Sequence, residues 1–251
     1  MSTFTYPHFP TRPGYMTADI QRAYIAAAVS RGLLPAEAHR MAQVISLDAP
    51  NDPAKPIQFW QLYSVLGPDR IVAIVRDFYQ RVFADEPWFV APFARVGPLD
   101  HHVMTQSQMW IDVMGGGPAY HGAEFRLNFH HTHNAMELMT AEGAARWTRL
   151  MVETLDACEP HMTGDPRIRP ALNTFLGHFM DKYAGDFRFD APGAFGVSNP
   201  PLKRRINFMT MTTEAIEALD EEELRQALGE RGIDTTAYPT KQDLVDKALM
   251  L

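Results

Sequence analysis

DRIVAIVRDFYQRVFAD, residues 69 to 85, decides the fold. Ile71, Ile74, Val75, Phe78, Val82 and Phe83 recur at steps that place them on one stripe of a helix, the pattern of an amphipathic α-helix facing a core. No alternating run of period two competes with it here or elsewhere, and no Asn-Gly hairpin signal occurs. The neighbouring segments read the same way. IQFWQLYSVLG (57–67) ends at Gly67-Pro68, and EPWFVAPFARVGPLD (86–100) holds three prolines and is expected to form a corner. HHVMTQSQMWIDVM (101–114) reads as a helix stopped by Gly115-Gly116-Gly117-Pro118, a run that cannot continue a helix and permits close backbone approach. TAEGAARWTRLMVETLDACE (140–159) follows with Thr140 as its cap, and DPRIRPALNTFLGHFMDKYAGDF (165–187) is a last long helix. The fold class is all-α.

Upstream, residues 1–16 read as an irregular arm. A helix is expected over 17–34 with Thr17 as cap, and a second over 35–47 opened by Pro35. Residues 49–56 form a linker by composition. Downstream of the Pro/Gly-rich stretch 190–205 the chain becomes strongly charged and reads as helix, short loop, helix. The expected organisation is an N-terminal helical extension (1–56), a main domain (57–190), a linker (191–207) and a small helix–loop–helix module (208–251).

The chain has 251 residues, long enough for one large domain with extensions, and its 46% hydrophobic and 21% charged residues are those of a globular protein. A net charge of −7 argues against a general nucleic-acid binder, which needs a basic face. No apolar run is long enough for a membrane span, and no secretion signal opens the chain. The single cysteine, Cys158, fits a reducing, cytoplasmic setting. Fourteen methionines and fifteen phenylalanines give a soft, aromatic interior of the kind that packs a core or lines a cofactor pocket.

Within NFHHTHNAMELMT (128–140), His130, His131 and His133 crowd into four positions. Their setting carries a resemblance. FYQRVFADE (78–86), the glycine stop GGGPAYHG (115–122) and a histidine followed by TAEGAARW (140–147) resemble, in order and spacing, the truncated (two-on-two) haemoglobins, most closely those of group two. The resemblance covers roughly residues 57–190. It implies a truncated-globin-like helical sandwich and haem b, with iron held by one axial imidazole. In group two the ligand histidine lies about thirteen residues after the Tyr of the glycine motif, which from Tyr120 gives His133. Counting back from Trp147 gives Asn134, one residue off. His133 is therefore favoured over His131, with His130 behind.

The resemblance further implies that Tyr79 and Trp147 project donors over the iron, with Gln106, His102 and Trp110 as further distal candidates. Phe93 would pack on the haem edge, and Phe129, Met136 and Leu138 against the porphyrin. Donors at that position stabilise a partly negative bound dioxygen or peroxide. Read by themselves, Tyr79, Trp110 and Trp147 are ordinary core aromatics. The corner is one residue longer than the family's, and three clustered histidines are more than a haem ligand requires.

Four functions follow as expectations. The first is a haem globin binding O2, NO, CO or peroxide. The second is a haem oxidoreductase that oxidises an organic substrate with O2 or peroxide. The third is a non-haem histidine–metal protein using His130 and His133 with His101 or His102. The fourth is a haem-free sensor or adaptor. The terminal additions suit an interface, with a homodimer among the candidates. Residues 219–249 weakly resemble a SAP-like module, yet residues 214–251 carry ten acidic and four basic side chains. That charge repels a phosphate backbone and favours a protein partner.

Overall fold

The computed structural model describes residues 8–192, 195–199, 206 and 208–251. The chain divides into two compact units, Met1–Leu202 and Lys203–Leu251. Among the described residues there is no strand, only an isolated bridge between Arg12 and Gly116.

The first unit is built on α3, Leu62–Phe83, against which α5, Leu99–Val113, and α7, Ala141–Ala157, pack. The stripe of α3 behaves as its spacing predicts. Ile71, Ile74, Val75, Phe78 and Val82 are buried and Phe83 is partly so. Each large apolar side chain buried this way contributes roughly 1.5–3 kcal/mol. Before this stripe the helix is broken at Gly67 (φ 66°). The positive φ there favours glycine, and a Cβ would also press on the Phe9 ring of the N-terminal arm at 2.4 Å.

The expected corner at 86–100 is instead a helix, α4, Pro87–Val96, because Pro87 sits at its first turn where no N–H is needed. The expected second helix at 35–47 shrinks to a 3-10 turn, Ala38–Arg40, and one short helical turn, α2, Ala42–Ile45. Extended Met41 separates them, and the Val44 carbonyl turns inward to accept from Trp60 Nε1 at 2.7 Å. The first helix, α1, spans Thr17–Ser30. Thr17 does not cap it: its hydroxyl accepts from Gly14 N (2.9 Å) and donates to the Asp112 carbonyl. The N-terminal segment shares the core of the first unit through Met16, Ile20, Ile25, Ala28, Leu34 and Val44.

After the glycine stop, α6, Ala123–Phe129, runs into a π-helical turn, His130–Asn134, closed by Ala135 N→His130 O at 3.0 Å. A 3-10 turn, Met136–Leu138, then leads to α7, which Thr140 caps by accepting from Gly143 N at 3.1 Å. The stretch 128–140 therefore changes helical type twice. The last helix of this unit, α8, is Ile168–Phe187, closed by Arg188 in the left-handed region.

The second unit has its own small core of Leu224, Leu228, Leu244, Val245 and Ala248, with Ile206 and Phe208 joining it. Its helices are α9, Thr213–Glu217, α10, Glu221–Gly229, and α11, Lys241–Leu249. Asp220 with Glu223 and Thr240 with Asp243 form capping boxes on α10 and α11. Among the described residues no helix is long and apolar enough to cross a membrane.

Candidate functional site

Inside the first unit lies a cavity of about 280 Å³, walled by α3 to α8 and the π-turn. Its walls are largely aromatic and aliphatic. The titratable groups on them are tyrosines, Arg126 and four histidines, and no Asp or Glu is among them.

Most of the residues singled out from the sequence meet here: Tyr79 from α3, Phe93 from α4, His102, Gln106 and Trp110 from α5, Trp147 from α7, with Phe129, His131 and Leu138 on the opposite segment. Phe78 holds two of them together, its ring 5.2 Å from that of Tyr79 and 5.0 Å from that of Trp147. Burial raises the Tyr79 phenol well above its ordinary pKa, so its hydroxyl stays protonated and able to donate. His102 is buried; its Nε2 lies 2.9 Å from Phe93 O and its ring stacks on Tyr79 at 5.1 Å. Thr105 Oγ1, on the same wall, is buried without a hydrogen-bond partner among the described residues.

The histidine cluster is split by the π-turn. His131 lines the cavity, packs 4.1 Å from the Tyr183 ring, and holds Nδ1 at 2.8 Å from Leu127 O. Its Nε2 has no protein partner among the described residues. His130 also lines the cavity, with its ring 5.1 Å from that of His131. His133, the residue favoured by spacing, is placed outside it. That ring stacks on Phe129 at 4.1 Å, and Nδ1 lies 2.8 Å from Thr132 Oγ1 and 3.2 Å from Phe129 O. It borders a separate surface recess with Arg95, Met136 and Glu137. Met136 likewise faces that recess rather than the cavity, because the 3-10 turn rotates it outward. The expectation of a multi-histidine metal site is not met: among the described residues no group of three or more His, Cys, Asp or Glu is placed to hold a metal ion.

Sequence reasoning passed over His130 as a wall residue, and also Tyr120, Arg126 and Tyr183. The Arg126 guanidinium lies 4.9 Å over the Tyr120 ring and forms no ion pair among the described residues. The adjacency of Arg126 to the histidine cluster was the available signal.

Burial holds His130, His131 and, away from the cavity, His178 down to a pKa of about 4. Lesser contributions come from His102 for His130, from His130 for His131 and from Arg31 for His178. The unfolded chain, with histidine near 6.5, binds more protons than the fold between these values. Stability is therefore full above about pH 6.5 and falls as the pH drops from there toward 4. Urea midpoints of the ligand-free protein should decline between pH 7 and 5, above the range where carboxylates dominate. His178→Gln should flatten that slope. A flat profile over this interval in the unaltered protein would contradict the neutral state of these partly buried rings.

The first unit is thus an all-α unit with an imidazole-bearing pocket among its helices. Residues 61–180 match the family model described as Bacterial-like globin. No curated protein and no solved structure matches the chain.

Proposed function

We propose that the first unit is a haem-binding globin of the truncated, group-two kind, taking a small ligand such as O2, NO or peroxide. The observation that carries this is His131. A neutral imidazole, fixed through Nδ1 on a backbone carbonyl with Nε2 left for a metal, is the arrangement an axial haem ligand needs. The residues present suit haem in other respects. The walls are apolar and aromatic, and Thr105 Oγ1 is an orphaned polar atom at the wall. Arg126, which among the described residues pairs with no carboxylate, is a cation suited to an acidic edge of the cofactor. Bound haem would supply an iron centre able to take a diatomic ligand and to exchange electrons with it.

The chain's own contribution is to hold and discriminate. His131 would hold the iron, with its ring oriented by Leu127 O and by the Tyr183 ring packed against it. Phe93 and Leu138, both buried, would shield the cofactor from water, and Phe129 would border it at the half-exposed rim. Tyr79, Trp147 and Gln106, all on the cavity wall, would supply an O–H, an N–H and an amide donor to a bound ligand. Donors held in a dry pocket act more strongly than in water, because nothing reorganises when charge develops on the ligand. The second unit, being acidic, serves a protein partner in this reading.

The test is the absorption spectrum of purified protein, reconstituted with haem and desalted, in the ferric, dithionite-reduced and carbon monoxide-treated forms. The expected result is a Soret band that shifts on reduction and again on carbon monoxide. A protein that emerges haem-free after reconstitution would overturn the proposal.

A further inference from the structure

We propose that Arg146, held by Asp85 and Glu86, is the positioning residue that fixes the Trp147 indole on the cavity wall beside Tyr79. The inference rests on the reading of Trp147 as a ligand-facing donor. Arg146 Nε donates to Asp85 Oδ2 at 2.7 Å and Nη2 to Asp85 Oδ1, a two-point fork, while Nη2 also lies 2.9 Å from Glu86 Oε1. The side chains of Arg146 and Asp85 are only 18% and 8% exposed. Exposed ion pairs fix little, but a bidentate pair with most of its water removed specifies geometry.

The acceptors are themselves held. Asp85 Oδ1 accepts from Glu86 N at 2.9 Å, and Glu86 Oε2 accepts from Trp88 Nε1 at 3.0 Å. Asp85 and Glu86 lie between α3, which carries Tyr79, and α4, which carries Phe93. Arg146 lies on α7 immediately before Trp147. The clamp therefore joins the three elements that bring Tyr79, Phe93 and Trp147 to one cavity. Its leverage is rotational. A turn of about 20° about the α7 axis sweeps a side-chain tip at the helix's outer radius of about 5–6 Å through roughly 2 Å. A hydrogen bond to a bound ligand does not survive a displacement of that size. Phe78 packs between Tyr79 and Trp147 but supplies only apolar contact, which permits sliding.

The test compares Arg146→Met, Arg146→Lys, Asp85→Asn and Trp147→Phe. In the haem-loaded carbon monoxide complex the C–O stretching frequency reports donors near the ligand. Arg146→Met and Asp85→Asn are expected to shift it in the direction of Trp147→Phe, Arg146→Lys to restore part of the shift, and Arg146→Met to add nothing in the Trp147→Phe background. A frequency unchanged in both Arg146→Met and Asp85→Asn overturns the proposal, however far their melting temperatures fall. Asp85→Asn keeps the test usable if Arg146→Met, which strands a buried carboxylate, does not fold.

A second readout needs no haem. The Trp147 share of the fluorescence, obtained as the difference from the Trp147→Phe protein in each background, should shift to the red and quench more readily with acrylamide once the clamp is broken. An unmoved Trp147 signal refutes the positioning role. Failure to take up haem refutes the proposed function instead, and leaves this second readout to decide the clamp.

Discussion

His131→Ala is expected to lower haem affinity by at least roughly a hundredfold, while His133→Ala leaves affinity and spectrum near those of the unaltered protein. Losing a partner that merely orients a metal-ligating histidine costs about 10- to 100-fold, so losing the ligand itself should cost no less. The contrast follows from the π-turn. Both rings hold Nδ1 near a backbone carbonyl, but His131 lines the cavity, whereas His133 stacks on Phe129 and borders the surface recess. Titration of each variant with haem, followed at the Soret band, decides between them. Full affinity in His131→Ala together with loss in His133→Ala would return the ligand to the position that sequence spacing favours. His130→Ala is the necessary third arm, because His130 lines the same cavity.

The choice between these histidines marks the limit of what the sequence makes legible. The α3 stripe, the Thr140 cap and the glycine stop follow from local rules, since each is a pattern of neighbours along one element. Tyr79, Phe93, His102, Gln106, Trp110 and Trp147 could be placed on the cavity by resemblance, because their helices are regular and a count along a regular helix converts into direction. From Tyr120 to Trp147 that conversion fails. The backbone passes through an α-helix, a π-turn and a 3-10 turn, each with a different angular step per residue. A count of thirteen then reaches the segment but does not say which ring faces the cavity. His133 and Met136 both lie outside the cavity for this one reason.

Local rules also miss interactions whose partners lie far apart in the chain. Nothing marks Asp112 as more than a polar residue near the end of a helix. Yet it is fully buried, and its carboxylate accepts from Tyr15 N, Met16 N and Tyr120 N at 3.0, 2.9 and 3.1 Å. Two of those donors lie 97 and 96 residues away. The side chain fastens the N-terminal arm to the chain just past the glycine stop, and sits so close to Gly14 that a Cβ there would meet it at 2.1 Å. The N-terminal segment is thereby a part of the first unit's core rather than an appendage.

Asp112→Ala should consequently be among the most destabilising single changes in the first unit. It removes three hydrogen bonds to a charged acceptor and leaves three backbone N–H groups without one. Each buried unsatisfied donor costs about 1–3 kcal/mol, so a loss on the order of 3–6 kcal/mol is expected, allowing for partial rescue by water. Asp112→Asn, which retains one carbonyl oxygen but no charge, should fall between. Because Tyr120 lies both on this carboxylate and on the cavity wall, the same change is expected to weaken haem retention as well as folding. Chemical denaturation of the haem-free protein measures the first effect and haem transfer to an acceptor globin the second. If Asp112→Ala unfolds within about 1 kcal/mol of the unaltered protein, the arm is not held by this carboxylate. Loss of stability with unchanged haem transfer would instead separate the arm from the pocket, leaving Tyr120 held in place by its packing alone.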